Sequence, residues 1–255
     1  MRRIRLQTGF SLVELAIVLF ILSLLLGTLL PTFSVRVELE ERGQTQGQLE
    51  EIREVIYGHV LRNSYLPCPD CRDNNAPCPG AGNTANDGLE DTITGAGTSQ
   101  VCASEVGNLP WVTLGVKGTD AWEREFTYRV DDVFADRDDP INSDGAATPL
   151  SCTAVTLNVS FSLCSDGDIT ILDSDGGVNV ATNLPAVIIS HGKNGGEAPS
   201  VHEQENYDDG SAGDTNKTFV DKPPDSPVAG TFDDMLIWIS PYMLRNRMLN
   251  AGILP

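Results

Sequence analysis

Apolar residues fill positions 10–30 almost without interruption, and Glu14 is the one charged residue among them. A helix over this stretch rises about 32 Å, which matches a bilayer hydrocarbon core of about 30 Å. The segment before it contains three arginines, whereas the chain after it is strongly acidic. Because flanking positive charge stays in the cytoplasm, we predict a transmembrane helix with residues 1–9 cytoplasmic and residues 31–255 on the outer side.

The helical pattern continues after the apolar run, because residues 35–62 are rich in Glu, Gln, Arg and Leu and contain no proline. Apolar residues recur there at helical spacing and predict one buried face: Leu49, Ile52, Val55, Ile56 and Val60. Gly43 and Gly47 each weaken a helix by about 1 kcal/mol relative to alanine. We therefore expect a bend or local melting between them.

Beyond the helix, residues 63–108 contain prolines, glycines and four cysteines without periodicity, which predicts a loop held by disulfides. Short β-type segments follow, separated by clusters of Gly, Asp, Asn and Pro. The predicted strands are residues 111–116, 126–130, 154–162, 169–172, 186–190 and 235–239. We predict long loops over residues 131–150 and 191–230, because neither polar run could build a core.

A short helix is predicted near the C-terminus, with Ser240 as its N-cap, Pro241 at its first position, an end near Asn250 and Gly252 as the stop. Its buried side chains would be Leu244, Met248 and Leu249. These elements predict an α+β fold. In it, a long N-terminal helix packs on a mainly antiparallel sheet, and the short helix closes the chain.

Charge narrows the range of partners, because 17 basic and 36 acidic residues give a formal net charge of −19. Such a chain is not expected to bind nucleic acid through a basic face. Excess acid favours solubility and offers carboxylates to divalent cations. Roughly 190 residues follow the N-terminal helix, which is enough for one substantial domain.

Glu14 needs a partner, because a carboxylate within a membrane segment is unfavourable by a few kcal/mol. Cleavage after Gly9 would give Phe10 a new α-amino group, and that cation could neutralise Glu14 on the same or a neighbouring subunit. A secretory signal peptide is the simpler alternative. Against it stand the length of the apolar run, the absence of a small-x-small cleavage site after it, and the position of Gly9 in front of it.

The segment Gly-Phe-Ser-Leu-Val-Glu-Leu at residues 9–15 resembles the class III signal of type IV pilins and type II secretion pseudopilins. The resemblance implies that a prepilin peptidase cuts between Gly9 and Phe10 and methylates the amine of Phe10. It also places a helix-kinking proline at Pro31. The implied division is a leader over residues 1–9, an assembly helix over 10–30, an amphipathic half over 31–62 and a periplasmic pilin-like domain over 63–255.

The resemblance implies a structural protein rather than an enzyme: a subunit, minor rather than major, of a type IV pilus or a type II secretion pseudopilus. Its expected partners are other pilin or pseudopilin subunits, prepilin peptidase, the inner-membrane assembly machinery and the lipid around residues 10–30. It would be held in the bacterial inner membrane before assembly, with Glu14 setting the register. The alternative is a membrane-anchored periplasmic binding module that does not polymerise. Residues 120–128 also resemble a pseudopilin segment, with Glu123 in place of a usual glycine.

Six cysteines on the outer side of a membrane suggest disulfides, and six thiols allow 15 pairings. Our expected pairs are Cys71 with Cys78, Cys152 with Cys164, and Cys68 with Cys102. Zinc is the alternative, because Cys68 and Cys71 have Cys-x-x-Cys spacing. A second matching pair is missing from the sequence.

Calcium is the cofactor that the sequence favours most. Main pseudopilins bind calcium in an acidic loop between the last strands, and the acidic residues in that region are Asp208, Asp209, Asp214, Asp233 and Asp234. Their spacing does not match an EF-hand. An enzyme is the weaker interpretation: Ser190 and His191 could suggest a hydrolase, but Gly-x-Ser-x-Gly is absent.

Overall fold

The computed structural model describes residues 11–72, 78–80, 82–94, 100–137, 160–163, 165–195, 201–207, 217–223 and 232–254, with the backbone alone for residues 26–35 and 201–202. The chain divides into two compact units, Met1–Arg42 and Gly43–Pro255. Helix α1 spans Leu12–Asn63, so that the boundary between the units falls within it. Among the residues described, no helix is both long and apolar enough to cross a membrane.

Helix α1 is continuous through Gly43 and Gly47, so the expected local melting is wrong. An added Cβ at either glycine would meet no atom within 4 Å, so the two residues do not mark a close contact. Hydrogen bonds to the preceding turn hold the backbone on both sides, and this cooperativity outweighs the weak propensity of two single glycines.

The second unit is built around the apolar face of α1, as the sequence predicts. Leu49, Ile52, Ile56 and Val60 are buried, and Val55 is partly buried against the same core. Each full burial of such a side chain contributes about 1.5–3 kcal/mol of hydrophobic stabilisation. This face anchors the part of α1 that lies in the second unit.

The main sheet has four antiparallel strands in the order β3-β4-β7-β9. The strands are β3 (Val106–Asn108), β4 (Thr127–Val130), β7 (Ala186–Ser190) and β9 (Met235–Ile239). Alternation divides their side chains between two faces. Tyr128, Ile188 and Ile237 share a core with α1, whereas Val187 and Ile189 face a second cluster.

A smaller sheet lies against that second face, in the order β6-β5-β8. Strand β5 is Ile169–Leu172, β6 is Asn179–Leu184 and β8 is Thr218–Val220. Strands β5 and β6 are antiparallel, and β5 and β8 are parallel. Ile169, Ile171 and Phe219 fill the space between the two sheets. With a separate hairpin of β1 (Thr92–Thr94) and β2 (Gln100–Cys102), the β structure is mainly antiparallel.

Three strands predicted from the sequence, over residues 169–172, 186–190 and 235–239, occur with the predicted bounds. The strand predicted over residues 111–116 is wrong, because α2 spans Trp111–Leu114. Pro110 precedes this turn, and Gly115 ends it at a φ of 71° with its N–H donating to the Trp111 carbonyl. A proline before and a left-handed glycine after the segment favour a helical turn over a strand. The strand expected over 154–162 lies largely outside the described residues.

Both predicted long loops contain regular structure. Helix α3 spans Asp132–Ala135, and helix α4 spans Val201–Asn206 ahead of strand β8. Asp131 accepts the N–H of Val133 and so caps α3. These elements have only four and six residues, too few to carry a periodic signal.

The C-terminal helix, α5, spans Pro241–Asn250, and Ser240 caps it by accepting the N–H of Met243. Leu244 and Met248 are buried, but Leu249 is 43% exposed, so its predicted burial is wrong. The reason is geometric: Leu244 and Met248 are four residues apart on one face, and Leu249 is turned about 100° from Met248. The architecture is the α+β arrangement expected from the sequence.

Candidate functional site

Two hydrogen bonds fix the N-terminal end of α1, one between Ser11 and Glu14 and one between Val13 and Ser11. The N–H of Val13 donates to Ser11 Oγ at 3.3 Å, and the N–H of Ser11 donates to Glu14 Oε2 at 3.0 Å. Such an arrangement satisfies N–H groups that a helix end otherwise leaves without partners. Glu14 therefore has a structural contact within its own chain, which the sequence analysis did not identify. Gly9 and Phe10 lie outside the described residues.

The first turns of α1 expose apolar side chains on every face. The side chains concerned are about half exposed or more: Leu12, Val13, Leu15, Ile17, Val18, Leu19, Phe20, Ile21, Leu22, Leu24 and Leu25. A helix that is apolar all round is stable only where other helices or lipid surround it. This segment is therefore a surface for assembly or for membrane contact.

Two disulfides hold the loop that follows α1, namely Cys68–Cys102 and Cys71–Cys78. Both are pairs that the sequence analysis expected. The neighbouring residues Cys68 and Cys71 thus have different partners, and neither thiol is available for the zinc alternative. Cys152 and Cys164 lie outside the described residues.

A hydrolase would need a hydrogen bond between the Ser190 hydroxyl and the ring of His191, and the Ser190 hydroxyl has a different partner. The hydroxyl of Ser190 donates to Asp120 Oδ2 at 2.7 Å, not to the ring of the adjacent His191. The His191 ring instead has Nε2 at 2.8 Å from the Thr127 hydroxyl and Nδ1 at 3.7 Å from Asp234 Oδ1. The Ser190 hydroxyl therefore stabilises the fold through its contact with Asp120.

Glu203, Asp233 and Asp234 form a buried carboxylate cluster, referred to below as the acidic cluster. One oxygen from each residue lies within 4.8 Å of the others. Helix α4 supplies Glu203, and the segment that leads into β9 supplies the two aspartates. Carboxylate oxygens at this separation are suited to a hard divalent cation.

Hydrogen bonds hold one oxygen of each carboxylate in the acidic cluster. Glu203 Oε1 accepts from Asn194 Nδ2 and from the N–H of Asp233, at 2.8 and 3.1 Å. Asp233 Oδ2 accepts the N–H groups of Lys193 and Asn194, and Asp234 Oδ2 accepts from Asn206 Nδ2. The side chains are therefore fixed before any ligand arrives.

Asp233 is the unusual member of the acidic cluster, because its Oδ1 atom is buried without a hydrogen-bond partner. Burial raises the pKa of Asp233 to about 6, and the negative charges of Asp234 and Glu203 add to the effect. An unpaired carboxylate oxygen beside two other carboxylates is unfavourable unless a proton or a cation compensates it. The residues present thus fit a cation.

Gly192 allows the loop 191–195 to approach this carboxylate. Its φ is +57°, and an added Cβ would lie 2.7 Å from the Asp233 carbonyl oxygen and 2.8 Å from Oδ1. Any other residue would be strained and would collide with Asp233. The glycine therefore allows the backbone N–H groups of Lys193 and Asn194 to reach the carboxylate.

Two of the five aspartates predicted as calcium ligands, Asp233 and Asp234, lie in the acidic cluster, and Asp208, Asp209 and Asp214 lie outside the described residues. The sequence analysis missed Glu203. The only available signal was its position about thirty residues before the two aspartates, in a segment that was interpreted as a loop. Tertiary packing of α4, not sequence spacing, brings it to the cluster.

Residues 4–30 match the family model of the prokaryotic N-terminal methylation motif. The chain carries a prepilin-type signal. This confirms the resemblance inferred from Gly9, Phe10 and Glu14. Comparisons with curated proteins and with solved structures found no match.

The prepilin-type signal supports a precursor of the type IV pilin or pseudopilin kind. It implies cleavage by prepilin peptidase, assembly with other pilin subunits and anchoring in the inner membrane. It also favours a structural subunit over an enzyme.

Proposed function

We propose that this protein is a minor structural subunit of a type IV pilus or a type II secretion pseudopilus. The observation that carries the proposal is the match of residues 4–30 to the N-terminal methylation motif. The exposed apolar side chains of residues 12–25 support it, because they require lipid or neighbouring helices. The large second unit, rich in loops, favours a minor subunit over a major one.

In the proposed mechanism, the apolar part of α1 stores the subunit in the inner membrane until it is extracted into a filament. Cleavage between Gly9 and Phe10 removes three arginines, which leaves 14 basic residues against 36 acidic ones and a formal net charge of −22. The new amine of Phe10 neutralises Glu14 of a neighbouring subunit and thereby sets the axial register.

Intact mass of the envelope-extracted protein tests processing directly. We expect the loss of residues 1–9 and the gain of one methyl group. A mass that retains the leader, or that shows cleavage after residue 30, would contradict the proposal. The protein would then be an anchored or secreted binding module that does not polymerise.

The register role of Glu14 is tested with two variants, because Glu14 also forms the contact with Ser11. Glu14→Ala removes both the charge and the hydrogen bond to the Ser11 N–H. Glu14→Gln removes the charge but can still accept that hydrogen bond. We expect both variants to be cleaved and to enter filaments poorly. Normal incorporation of Glu14→Gln would show that the residue acts only as a helix cap.

We further propose that the acidic cluster binds calcium. The unpaired, buried Oδ1 atom of Asp233 carries this second proposal. Three carboxylates at the observed separation would supply three to six of the six to eight oxygens that calcium prefers. Bound cation would compensate the buried charge and fix α4 against the start of β9.

Calorimetric titration of the chelator-treated full chain with calcium tests this site. We expect one equivalent to bind, and Asp233→Asn to remove that binding. Asp173→Asn is the control, because Asp173 is an exposed carboxylate in a turn. Equal calcium binding by wild type and Asp233→Asn would contradict the assignment.

A further inference from the structure

A polar cleft of about 470 Å³ opens on the second unit, at the end of the main sheet where β4 begins. Its volume lies in the range of small-molecule sites, about 300–1,000 Å³. The cleft is lined by residues from the loop after α1, from β3 and β4, and from the segments before β4 and after β7, together with Tyr207 at the end of α4. None of the described lining residues is aliphatic. The lining therefore excludes a lipid or another apolar ligand.

Charge on the cleft wall is balanced, because two arginines, Arg72 and Arg124, and two glutamates, Glu123 and Glu125, line it. Phosphate-bearing ligands need an excess of positive charge, which this lining does not provide. The overall acidic charge of the chain also disfavours them. A ligand without net charge is best suited to a lining whose positive and negative side chains are equal in number.

A hydrogen-bond network fixes the polar groups at the base of the cleft. Asn108 accepts from Arg72 Nε at 2.9 Å and donates through Nδ2 to Asn86 and Glu125, at 2.6 and 2.9 Å. The Thr127 hydroxyl, which accepts from Arg72, lies 2.8 Å from Nε2 of His191. Side chains held in this way bind a ligand with little further loss of conformational entropy.

The wall next to this base is also fixed. Arg124 donates through Nη1 to the Gly195 carbonyl and through Nη2 to the Lys193 carbonyl, at 3.2 and 3.1 Å. These two carbonyls belong to the loop that also donates to Asp233. The wall therefore combines planar donor and acceptor groups in fixed positions.

Tyr207 adds an aromatic surface beside the polar groups. It is 49% exposed, and its ring centroid lies 6.0 Å from that of His191. An exposed ring next to planar hydrogen-bonding groups suits a ligand that has both C–H faces and hydroxyl groups. Saccharides have this combination, and each hydroxyl can both donate and accept.

We propose that this cleft binds a neutral saccharide. The fixed amide, carboxylate and guanidinium groups hydrogen-bond the sugar hydroxyls, and Tyr207 packs on an apolar face of the ring. The inference goes beyond the proposed pilus role, since none of its residues lies in the N-terminal motif. Loss of filament assembly would not affect it.

The test is binding of the full chain to an array of neutral and N-acetylated oligosaccharides, printed beside a set of unmodified peptides. The protein is held in a detergent without a sugar headgroup. We expect saccharide binding that Tyr207→Ala weakens by about tenfold. Tyr242→Ala is the matched control, because Tyr242 is 78% exposed on α5 and does not line the cleft.

A second variant, Glu125→Gln, tests the polar wall if Tyr207→Ala does not fold. Glu125 is exposed, so the substitution changes the ligand-facing charge with little effect on folding. We expect it to weaken saccharide binding as well. Absence of saccharide binding, binding of peptides alone, or equal binding by wild type and both variants would overturn the proposal.

Discussion

Ser190 and Asp120 are joined by a hydrogen bond of 2.7 Å from the serine hydroxyl to Oδ2, although seventy residues separate them in the chain. The other carboxylate oxygen of Asp120 accepts the N–H groups of Trp122 and Arg124, both at 2.9 Å. Asp120 is fully buried. A buried carboxylate with this many donors fixes the turn before β4 against the end of β7.

Asp120→Ala is expected to destabilise the second unit by about 3 kcal/mol, because one buried and two half-buried donors lose their acceptor. Urea unfolding measures the change in the free energy of unfolding. Asp173→Ala is the control: Asp173 also accepts hydrogen bonds in a turn, from Val178 and Ser174, but it is exposed. Equal losses in the two variants would show that burial of Asp120 contributes nothing.

Glu123→Gly is expected to stabilise the protein by about 0.5–1 kcal/mol. Glu123 has a φ of +63°, which is unfavourable for a residue with a side chain and accessible to glycine. The turn thus keeps the left-handed conformation although glutamate replaces the glycine of the pseudopilin-like segment. Thermal unfolding compares wild type with Glu123→Gly and with Glu123→Val, which should be less stable than wild type. If Glu123→Gly were less stable than wild type and Glu123→Val more stable, the left-handed conformation of Glu123 would not be a source of strain.

Periodic and capping signals were sufficient to predict the first and the last helix, α1 and α5. The buried face of α1 and the Ser240 cap of α5 occur as predicted, because each depends on residues close in sequence. Strands β7 and β9 were recognised for the same reason, since each is a continuous apolar run. Leu249 was misplaced because it lies about 100° around α5 from Met248, away from the face that Leu244 and Met248 bury.

Long-range contacts could not be predicted in the same way. Glu203 joins Asp233 and Asp234 through packing of a six-residue helix that has no amphipathic pattern. The polar cleft depends on Asn108 and His191, which are brought together by strand pairing. Their sequence neighbours contain no binding motif. The N-terminal signal is the exception, because its residues are contiguous.

Removal of the two disulfides is expected to have unequal effects. Cys68–Cys102 closes a loop with a sequence separation of 34, and Cys71–Cys78 one of 7. Because the stabilisation grows with loop length, we expect losses of about 4 and about 2 kcal/mol when each pair is replaced by alanine. Guanidinium unfolding under non-reducing conditions measures both. A larger loss for the shorter loop would contradict the unfolded-state explanation.

Asp131 is expected to make the protein less stable as the pH rises towards neutrality. Its carboxylate is buried and accepts the N–H groups of Val133 and Asp168. Burial raises the pKa of Asp131 to about 7, and the negative charge of Asp132 adds to it, whereas the Val133 hydrogen bond lowers it. Above the unfolded pKa near 3.8, the unfolded chain releases a proton that the folded chain retains until about pH 7. The folded state therefore binds more protons in this range, and stability falls as the pH rises.

Asp131→Asn removes this titration but leaves one acceptor oxygen where the carboxylate has two. The variant should therefore be less stable than wild type near pH 4, and the difference should shrink by on the order of 1–3 kcal/mol towards pH 7. Urea unfolding across this pH range measures the difference. A chelator is present in every sample, so that no cation bound at the acidic cluster affects the comparison. Asp175→Asn, in an exposed turn, is the control for the loss of one carboxylate charge. Parallel curves for Asp131→Asn and wild type would show that Asp131 ionises in the folded protein as it does in the unfolded chain.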